Sequence, residues 1–340
     1  MAGSRADAAT GAGRWNDGLI LVADIGGTNS RLALARGGKI LPGTLTRLAN
    51  RDFPGPDALL RAHAQRHGAP QAGACLAVAG LVRDGRAEMT NLPWRIDAGE
   101  LAAQTGLPRI ALLNDLQAQG HALSALPGAS LRRLLAPAPG SPPPAAGAAR
   151  LVVGIGTGFN AAAVFETPSG PIVPPAEAGH ADLPLRRPDE AAFADFLRRR
   201  AGLASVERAL SGPGLENIHR FLHPEAPEDA AGIVRALEGG CPAARARALA
   251  SLRLFAGLLG NAISSLALIH LPGGGIYLTG GVARALAPYL AAAGLEASLR
   301  REGPLAGLLR EIPLYLVTDD NAALTGCARH LSWEPPFTRR

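Results

Sequence analysis

The sequence is poor in lysine and in aromatic residues. Of its 34 basic residues only Lys39 is a lysine, and aromatic residues make up 4% of the 340-residue chain. The arginines responsible for the net charge of +6 are scattered, without a long basic run or interleaved aromatic side chains. Because nucleic-acid-binding proteins concentrate basic residues on one face, we expect no nucleic-acid partner.

Cysteines and uninterrupted apolar runs are also scarce. Cys75, Cys241 and Cys327 lie far apart, without the spacing of a zinc site. This usage fits reduced, buried thiols in a cytoplasmic protein. No apolar run has the length of a membrane span, so we expect no membrane partner. Residues 1–18 are small and polar and lack the apolar core of a secretory signal, which predicts a disordered leader.

Three common nucleotide-binding signatures are missing. A P-loop places Ser or Thr directly after its lysine, but Ile40 follows Lys39. A dinucleotide fingerprint built on Gly154 and Gly156 would need a third glycine at position 159, where Phe159 stands. Protein kinases require a catalytic lysine, and Lys39 is not suitably placed. A nucleotide site in this chain must therefore use other residues.

The sequence does contain an apolar stretch over residues 19–34 that a polar turn interrupts. This pattern predicts two strands joined by a turn. Glycines let backbone N–H groups approach phosphate oxygens, and a threonine hydroxyl adds a donor. A carboxylate beside phosphates requires a cation such as Mg²⁺. We predict a magnesium-nucleotide site here, with an ordinary glycine-rich hairpin as the alternative. The turn residues concerned are Asp24, Gly26, Gly27, Thr28 and Asn29.

A second strand–turn–strand pattern covers residues 150–166, with Gly156, Thr157 and Gly158 at its turn. Its similarity to the first indicates two related halves facing one cleft. A further strand over residues 275–279 leads into Gly280 and Gly281. Strands followed by crossing helices, in two copies, predict a two-domain α/β protein with mixed sheets.

Several polar residues lie where strands end or loops begin. Asn114 and Asp115 follow a buried strand and open a helix. The helix dipole favours an ionised Asp115, which can then act as a general base, although an acid that merely starts the helix is the alternative. Glu177 and His180 lie on a proline-rich loop, and Glu207 lies in a segment that also fits the solvated first turn of a helix.

Six short motifs occur in the order seen in bacterial glucokinases, which this chain resembles over residues 19–331. That family belongs to the hexokinase-like, actin-related ATPase superfold. Each motif alone is a weak signal, but six in one order are specific for the family. The motifs are DIGGT at 24–28, ND at 114–115, GIGTG at 154–158, EAGH at 177–180, SGPG at 211–214 and TGGV at 279–282.

The resemblance implies a fold and a reaction. The fold is a two-domain actin/hexokinase-like (ribonuclease H-like) α/β fold, with mixed sheets flanked by helices and an interdomain cleft. Its small domain would comprise residues 19–125 and 319–334, and its large domain residues 126–318. The reaction is ATP-dependent transfer of phosphate to a hexose, with glucose yielding glucose 6-phosphate. The partners are therefore a small-molecule sugar and ATP, and we expect a homodimer.

The resemblance also implies roles for individual residues. Asp115 is the catalytic base, and Asp24 serves Mg²⁺, directly or through water. The residues that hold the hexose are Asn114, Asp115, Glu177, His180 and Glu207. The residues that hold ATP are Asp24, Gly26, Gly27, Thr28, Asn29, Gly156, Thr157, Gly158, Thr279, Gly280 and Gly281.

Two departures from the family pattern bear on substrate range. Phe159 and Asn160 follow Gly158 where many members have a small residue and another glycine, and Ala178 replaces a glycine. The first departure can reshape the turn, and the second narrows backbone freedom near the sugar. One alternative is therefore a kinase for another hexose, such as glucosamine, mannose or fructose. The other is a non-catalytic sugar-sensing protein, because folds that resemble this one also occur in repressors.

Overall fold

The computed structural model describes residues 18–89, 92–168 and 170–333. The predicted disordered leader lies outside these ranges except for its last residue, Gly18. The chain divides into two compact units. Unit 1 comprises residues 1–125 and 321–340, and unit 2 comprises residues 126–320.

The strands of unit 1 come first in the chain and those of unit 2 follow. In unit 1 they are β1 (Ile20–Ile25), β2 (Asn29–Arg36), β3 (Lys39–Ile40), β4 (Thr46–Ala49), β5 (Gly73–Val78), β6 (Gly80–Arg83), β7 (Arg86–Met89), β8 (Arg95–Asp97) and β9 (Ile110–Asn114). In unit 2 they are β10 (Leu131–Leu135), β11 (Arg150–Ile155), β12 (Phe159–Thr167), β13 (Gly170–Ile172), β14 (Ile276–Thr279) and β15 (Leu314–Val317).

The helices are likewise divided, and the last helix of the chain returns to unit 1. The helices before it are α1 (Pro56–His67), α2 (Ala98–Thr105), α3 (Asp115–Ala122), α4 (Pro188–Ala201), α5 (Val206–Ala209), α6 (Gly212–Leu222), α7 (Ala230–Gly239), α8 (Pro242–His270), α9 (Gly281–Leu290), α10 (Leu295–Leu299) and α11 (Ala306–Glu311). The last is α12 (Ala322–Trp333).

The main sheets of the two units share one topology. In unit 1 the order is β3-β2-β1-β5-β9, with β4 also paired to β2. In unit 2 the corresponding order, read in the same direction, is β13-β12-β11-β14-β15, and β10 is added beside β15. In each sheet an antiparallel hairpin, β1–β2 or β11–β12, lies beside parallel strands. Strands β6 to β8 form a separate small sheet in unit 1. These mixed sheets confirm the predicted fold class.

Strand β1 shows why the first apolar stretch has no polar alternation. Leu21 faces a core that includes Leu59 of α1. Val22 faces the opposite side, where it packs with Leu324 and Cys327 of α12. Because helices cover both faces of the sheet, both faces of the strand must be apolar.

Helix α8 corrects one expectation from the sequence. An 18-residue window of this helix has a mean hydropathy of 1.6, so by length and composition it could cross a membrane. However, 72% of that window is buried within the protein, and α8 contributes residues such as Phe255 and Leu259 to the core of unit 2. Its apolar character is that of a core helix.

The cysteine expectation also needs a partial correction. All three cysteines are free, which agrees with the prediction of reduced thiols. Cys75 and Cys327 are buried, as expected, but Cys241 is exposed. The reason is its position, since Cys241 is the residue that precedes α8.

Candidate active site

The first glycine turn joins β1 to β2 and is fastened by a residue that lies beyond both strands. The side-chain amide of Asn50 donates to Gly26 O at 2.7 Å, and the Asn50 backbone N–H donates to Thr28 O at 2.9 Å. Ser30 Oγ donates to Asn50 Oδ1 at 2.7 Å. Asn50 is buried, whereas Thr28 at the tip of the turn is exposed. Hydrogen bonds from the buried Asn50 therefore fix the backbone of the turn, while Thr28 at its tip remains accessible within unit 1.

Asp24 lies one residue before the end of β1 and pairs across the hairpin with Arg31. Their side chains form an ion pair with an N···O distance of 3.3 Å. Burial raises the pKa of Asp24, and the Arg31 guanidinium opposes that shift. A carboxylate is the oxygen ligand that Mg²⁺ prefers, usually with one or two such groups beside substrate phosphates. The carboxylate of Asp24 is thus of the chemical type that holds Mg²⁺ beside phosphates. No cluster of three metal-binding side chains occurs in the described residues.

Asn114 and Asp115 form the junction between β9 and α3. Asn114 Oδ1 accepts from the Leu116 N–H at 2.8 Å, and Gln117 Oε1 accepts from the Asn114 N–H at 3.1 Å. This reciprocal pair is a capping box. Asn114 Nδ2 also donates to Gly80 O at 3.0 Å. The side chain of Asn114 thus fixes the start of the helix that carries Asp115.

Asp115 is the first residue of α3 and is half-buried. Its Oδ1 accepts from the Leu116 N–H at 2.8 Å. The helix dipole favours a negative charge at this position. This geometry suits both alternatives raised by the sequence, a helix-start acid and an ionised base.

The pairing register places Asp24 and Asp115 at the same edge of the sheet. Ile25 pairs with Val78 in the parallel ladder β1–β5, and Val78 pairs with Asn114 in the parallel ladder β5–β9. Two strand spacings separate β1 from β9, which is about 10 Å. Unit 1 therefore presents two carboxylates at the carboxyl ends of its parallel strands, where open α/β sheets bind ligands.

The second glycine turn joins β11 to β12 and adjoins the starts of two helices. The Gly212 N–H, at the start of α6, donates to Gly156 O at 2.8 Å. Gly280 has a φ of +101°, and a side chain there would collide with Ile155 O at the end of β11. Gly281 then begins α9, and Thr279 before it is buried. Helix N-termini attract anions, so this corner of unit 2 suits phosphate groups.

The predicted sugar residues of unit 2 lie beside that turn. Glu207 is in α5, and its Oε2 accepts from the Phe159 N–H, directly after the turn, at 3.0 Å. Glu177 directly precedes a single 3₁₀ turn, Ala178–His180, of which His180 is the last residue, and both Glu177 and His180 are exposed. Partial desolvation raises the pKa of Glu177, His180 opposes the shift, and the carboxylate of Glu207 adds to it. These three side chains therefore interact electrostatically as one group.

The structure thus assembles the predicted residues into two groups, one in each unit. Unit 1 holds the first turn with Asp24, Asn114 and Asp115. Unit 2 holds the second turn with Glu177, His180, Glu207 and residues 279–281. Sequence reasoning missed two residues that contact the first turn and its carboxylate, Arg31 and Asn50. Of these only Arg31 had a usable signal, because cross-strand pairing in a tight hairpin would place it opposite Asp24.

Two Gly/Thr hairpins at equivalent places in two related sheets, with carboxylates at strand ends, define a kinase of the actin/hexokinase-like fold. A family model described as Glucokinase matches residues 21–333. The chain is 30% identical to a glucokinase of Klebsiella pneumoniae subsp. pneumoniae, over 92% of this chain and 97% of the relative. It is 32% identical to a glucokinase of Mesorhizobium japonicum, over 92% of this chain and 91% of the relative.

A solved structure gives the same result. A glucokinase from an Antarctic psychrotroph superposes with a TM-score of 0.78 at 28% identity, covering 92% of this chain and 98% of the other. The chain therefore belongs to the glucokinase family, and its reaction is the ATP-dependent phosphorylation of glucose. These matches do not favour a kinase for another hexose or a non-catalytic sugar sensor.

Proposed function

We propose that Asp115 is the catalytic base of this glucokinase reaction and that Asp24 serves the nucleotide's Mg²⁺. The observation that carries this proposal is the register that aligns Ile25, Val78 and Asn114, because it puts both carboxylates at one sheet edge with a separation between them. Phosphoryl transfer depends mainly on holding the acceptor and donor in line. Two separated carboxylates can serve the two reactants independently.

On the sugar side, Asp115 accepts a hydrogen bond from the reacting hydroxyl of glucose. It takes the proton of that hydroxyl as the oxygen bonds to the γ-phosphorus of ATP and the bond from that phosphorus to ADP breaks. Asn114 keeps Asp115 in place through the helix cap. Glu177 and Glu207 accept hydrogen bonds from other hydroxyls of the ring, and His180 can donate or accept. A site of this kind discriminates between sugars because a poorly matched sugar leaves polar groups of the site without hydrogen-bond partners.

On the nucleotide side, residues of the two turns contact the phosphates. The first turn contributes Gly26, Gly27, Thr28 and Asn29, and the second contributes Gly156, Thr157 and Gly158. Residues 279–281 contact the nucleoside part of ATP. Asp24 holds Mg²⁺ directly or through water, and the bound ion neutralises charge on the phosphate oxygens.

The location, oligomeric state and domain bounds of the enzyme are proposals as well. We infer a cytoplasmic homodimer without a nucleic-acid partner, built from a small domain (residues 19–125 and 319–334) and a large domain (residues 126–318). The free cysteines support the cytoplasmic setting. Light scattering coupled to size-exclusion chromatography tests the dimer, and a monomeric mass would overturn it.

The base is tested with Asp115→Asn in a coupled ADP-release assay. General-base catalysis contributes a factor of about 10² to 10⁴, so we expect turnover to fall by that factor while glucose binding, measured by calorimetry, is retained. Asp57→Asn is the matched control, because Asp57 also lies in the first turn of a helix in unit 1. It should leave turnover unchanged. Near-normal turnover of Asp115→Asn would remove Asp115 as the base.

The sugar preference is tested with the wild-type enzyme on a panel of glucose, glucosamine, mannose and fructose. We expect the highest kcat/KM with glucose. An equal or higher value with another hexose would overturn the assignment of glucose as the preferred substrate.

A further inference from the structure

Asn160 is the second of the two residues that depart from the family pattern after the second glycine turn. Its side chain makes three hydrogen bonds to backbone groups. Asn160 Oδ1 accepts from the Ala178 N–H at 2.9 Å and from the Ala161 N–H at 2.8 Å. Its Nδ2 donates to Ala176 O at 2.6 Å. The side-chain amide therefore uses both its acceptor and its donor.

Two of these bonds bracket Glu177. Ala176 and Ala178 are its neighbours in the chain. The Asn160 amide therefore forms hydrogen bonds to the residue before Glu177 and to the residue after it. Glu177 itself is exposed and follows two exposed prolines, Pro174 and Pro175, outside regular secondary structure. A segment of this kind has few backbone partners of its own, and a side chain that supplies both a donor and an acceptor restricts it strongly.

The other departure, Ala178, lies at the same contact. Its backbone N–H is one of the groups that Asn160 binds, and its side chain packs against the core of unit 2. The next residue, Gly179, has no room for a side chain, because a Cβ would collide with Phe159 O. The 3₁₀ turn after Glu177 therefore packs closely against Phe159 at the start of β12. The two departures belong to one contact.

We propose that Asn160 is a positioning residue that presets Glu177 for glucose. The proposal rests on the proposed role of Glu177 in sugar binding. Asn160 lies two residues after Gly158, at the start of β12. The strand that follows the second glycine turn therefore also fixes the segment that carries Glu177. A backbone fixed before binding loses less conformational freedom when the sugar arrives, and this raises affinity without any new sugar contact.

The test is steady-state kinetics of Asn160→Ala. Loss of its hydrogen bonds is expected to raise the KM for glucose about tenfold to a hundredfold, while kcat and the KM for ATP change less than about threefold. Thr167→Ala is the control, because Thr167 lies at the other end of β12 and its Oγ1 also donates to a backbone oxygen of unit 2, Gly170 O, at 2.6 Å. It should leave every parameter unchanged.

A double-mutant cycle separates positioning from a general loss of structure. If Asn160 acts through Glu177, then Asn160→Ala should raise the KM for glucose much less in a Glu177→Gln background than in the wild type. Equal increases in both backgrounds would overturn the proposal. If Asn160→Ala does not fold, as judged by thermal melting, Asn160→Gly takes its place, since glycine is common at this position in the family.

The remaining outcomes are also decisive. An unchanged KM for glucose in a folded Asn160→Ala or Asn160→Gly variant overturns the positioning role and leaves the proposed function intact. An unchanged KM in Glu177→Gln removes Glu177 from the sugar site, and the role of Asn160 falls with it. A wild-type enzyme without glucose-dependent ADP release would instead refute the proposed function.

Discussion

Unit 1 should lose stability in mild acid because burial lowers the pKa of two of its histidines, His63 and His121, and the larger shift is that of His121. His121 lies on α3 and is 6% exposed, and its Nε2 is 3.2 Å from Nδ1 of His330 on α12. Burial lowers the pKa of His121 from its usual 6.5 to about 3, and the nearby His330 adds to this shift. The folded protein therefore holds His121 neutral at a pH where an unfolded chain would protonate it.

The sign and size of the effect follow from linkage. Because the pKa of His121 is lower in the folded state, its contribution to stability is fully present above pH 6.5 and is lost progressively as the pH falls toward 3. Between pH 7 and pH 5 the loss from this single group is about 2 kcal/mol in the free energy of unfolding. A loss of that size is a large fraction of the stability of a typical domain.

Tryptophan fluorescence offers a selective assay, because residues 126–320 of unit 2 contain no tryptophan, whereas Trp94 is buried in unit 1. Urea denaturation of the wild type and of His121→Gln would be compared at pH 7 and pH 5. The wild type should lose about 2 kcal/mol more than the variant. His67→Gln, a change at a half-buried histidine of the same unit, should retain the acid loss. An equally steep loss in His121→Gln would refute the reasoning.

Two further substitutions probe the nucleotide side. Gly280→Ala places a side chain in contact with Ile155 O at a residue whose φ is +101°. We therefore expect the free energy of unfolding to fall by about 1–3 kcal/mol and the KM for ATP to rise. An unchanged melting temperature would contradict the close packing at this turn. Asp24→Asn removes the carboxylate proposed to serve Mg²⁺, so a titration of Mg²⁺ at fixed ATP should require more metal for half-maximal rate while glucose binding is retained; an unchanged Mg²⁺ requirement would remove Asp24 from that role.

The sequence predicted the local elements well because their signals are local. The hairpin β1–β2 is an apolar run broken by glycines, and β11–β12 repeats that pattern. The start of α3 follows from Asn114, whose side chain caps it. Each of these signals lies within a few residues of the element it specifies. The apolar character of α8 is less evident in the sequence, because scattered polar residues interrupt a window that is apolar on average.

The fastening contacts could not be predicted because they join residues far apart in the chain. Asn50 binds Gly26 from 24 positions away, and Asn160 binds Ala178 from 18 positions away. No helical or strand periodicity in the sequence identifies Asn50 or Asn160 as a residue with a long-range contact. The sequence showed that Asn160 was unusual, but its partners became visible only in the folded unit.

The two glycine hairpins share a topology, but they are fastened by different chemistry. A neutral amide, Asn50, holds the first turn, whereas a carboxylate, Glu207, accepts from Phe159 directly after the second. A Cβ on Gly158 would stand 2.5 Å from the same Glu207 oxygen, so the carboxylate lies against the turn itself. Because Glu207 is also a proposed sugar residue, a substitution there removes a support of the phosphate turn together with a sugar contact. Raised KM values in a Glu207 variant would therefore have to be divided between the two substrates before the residue is assigned to either.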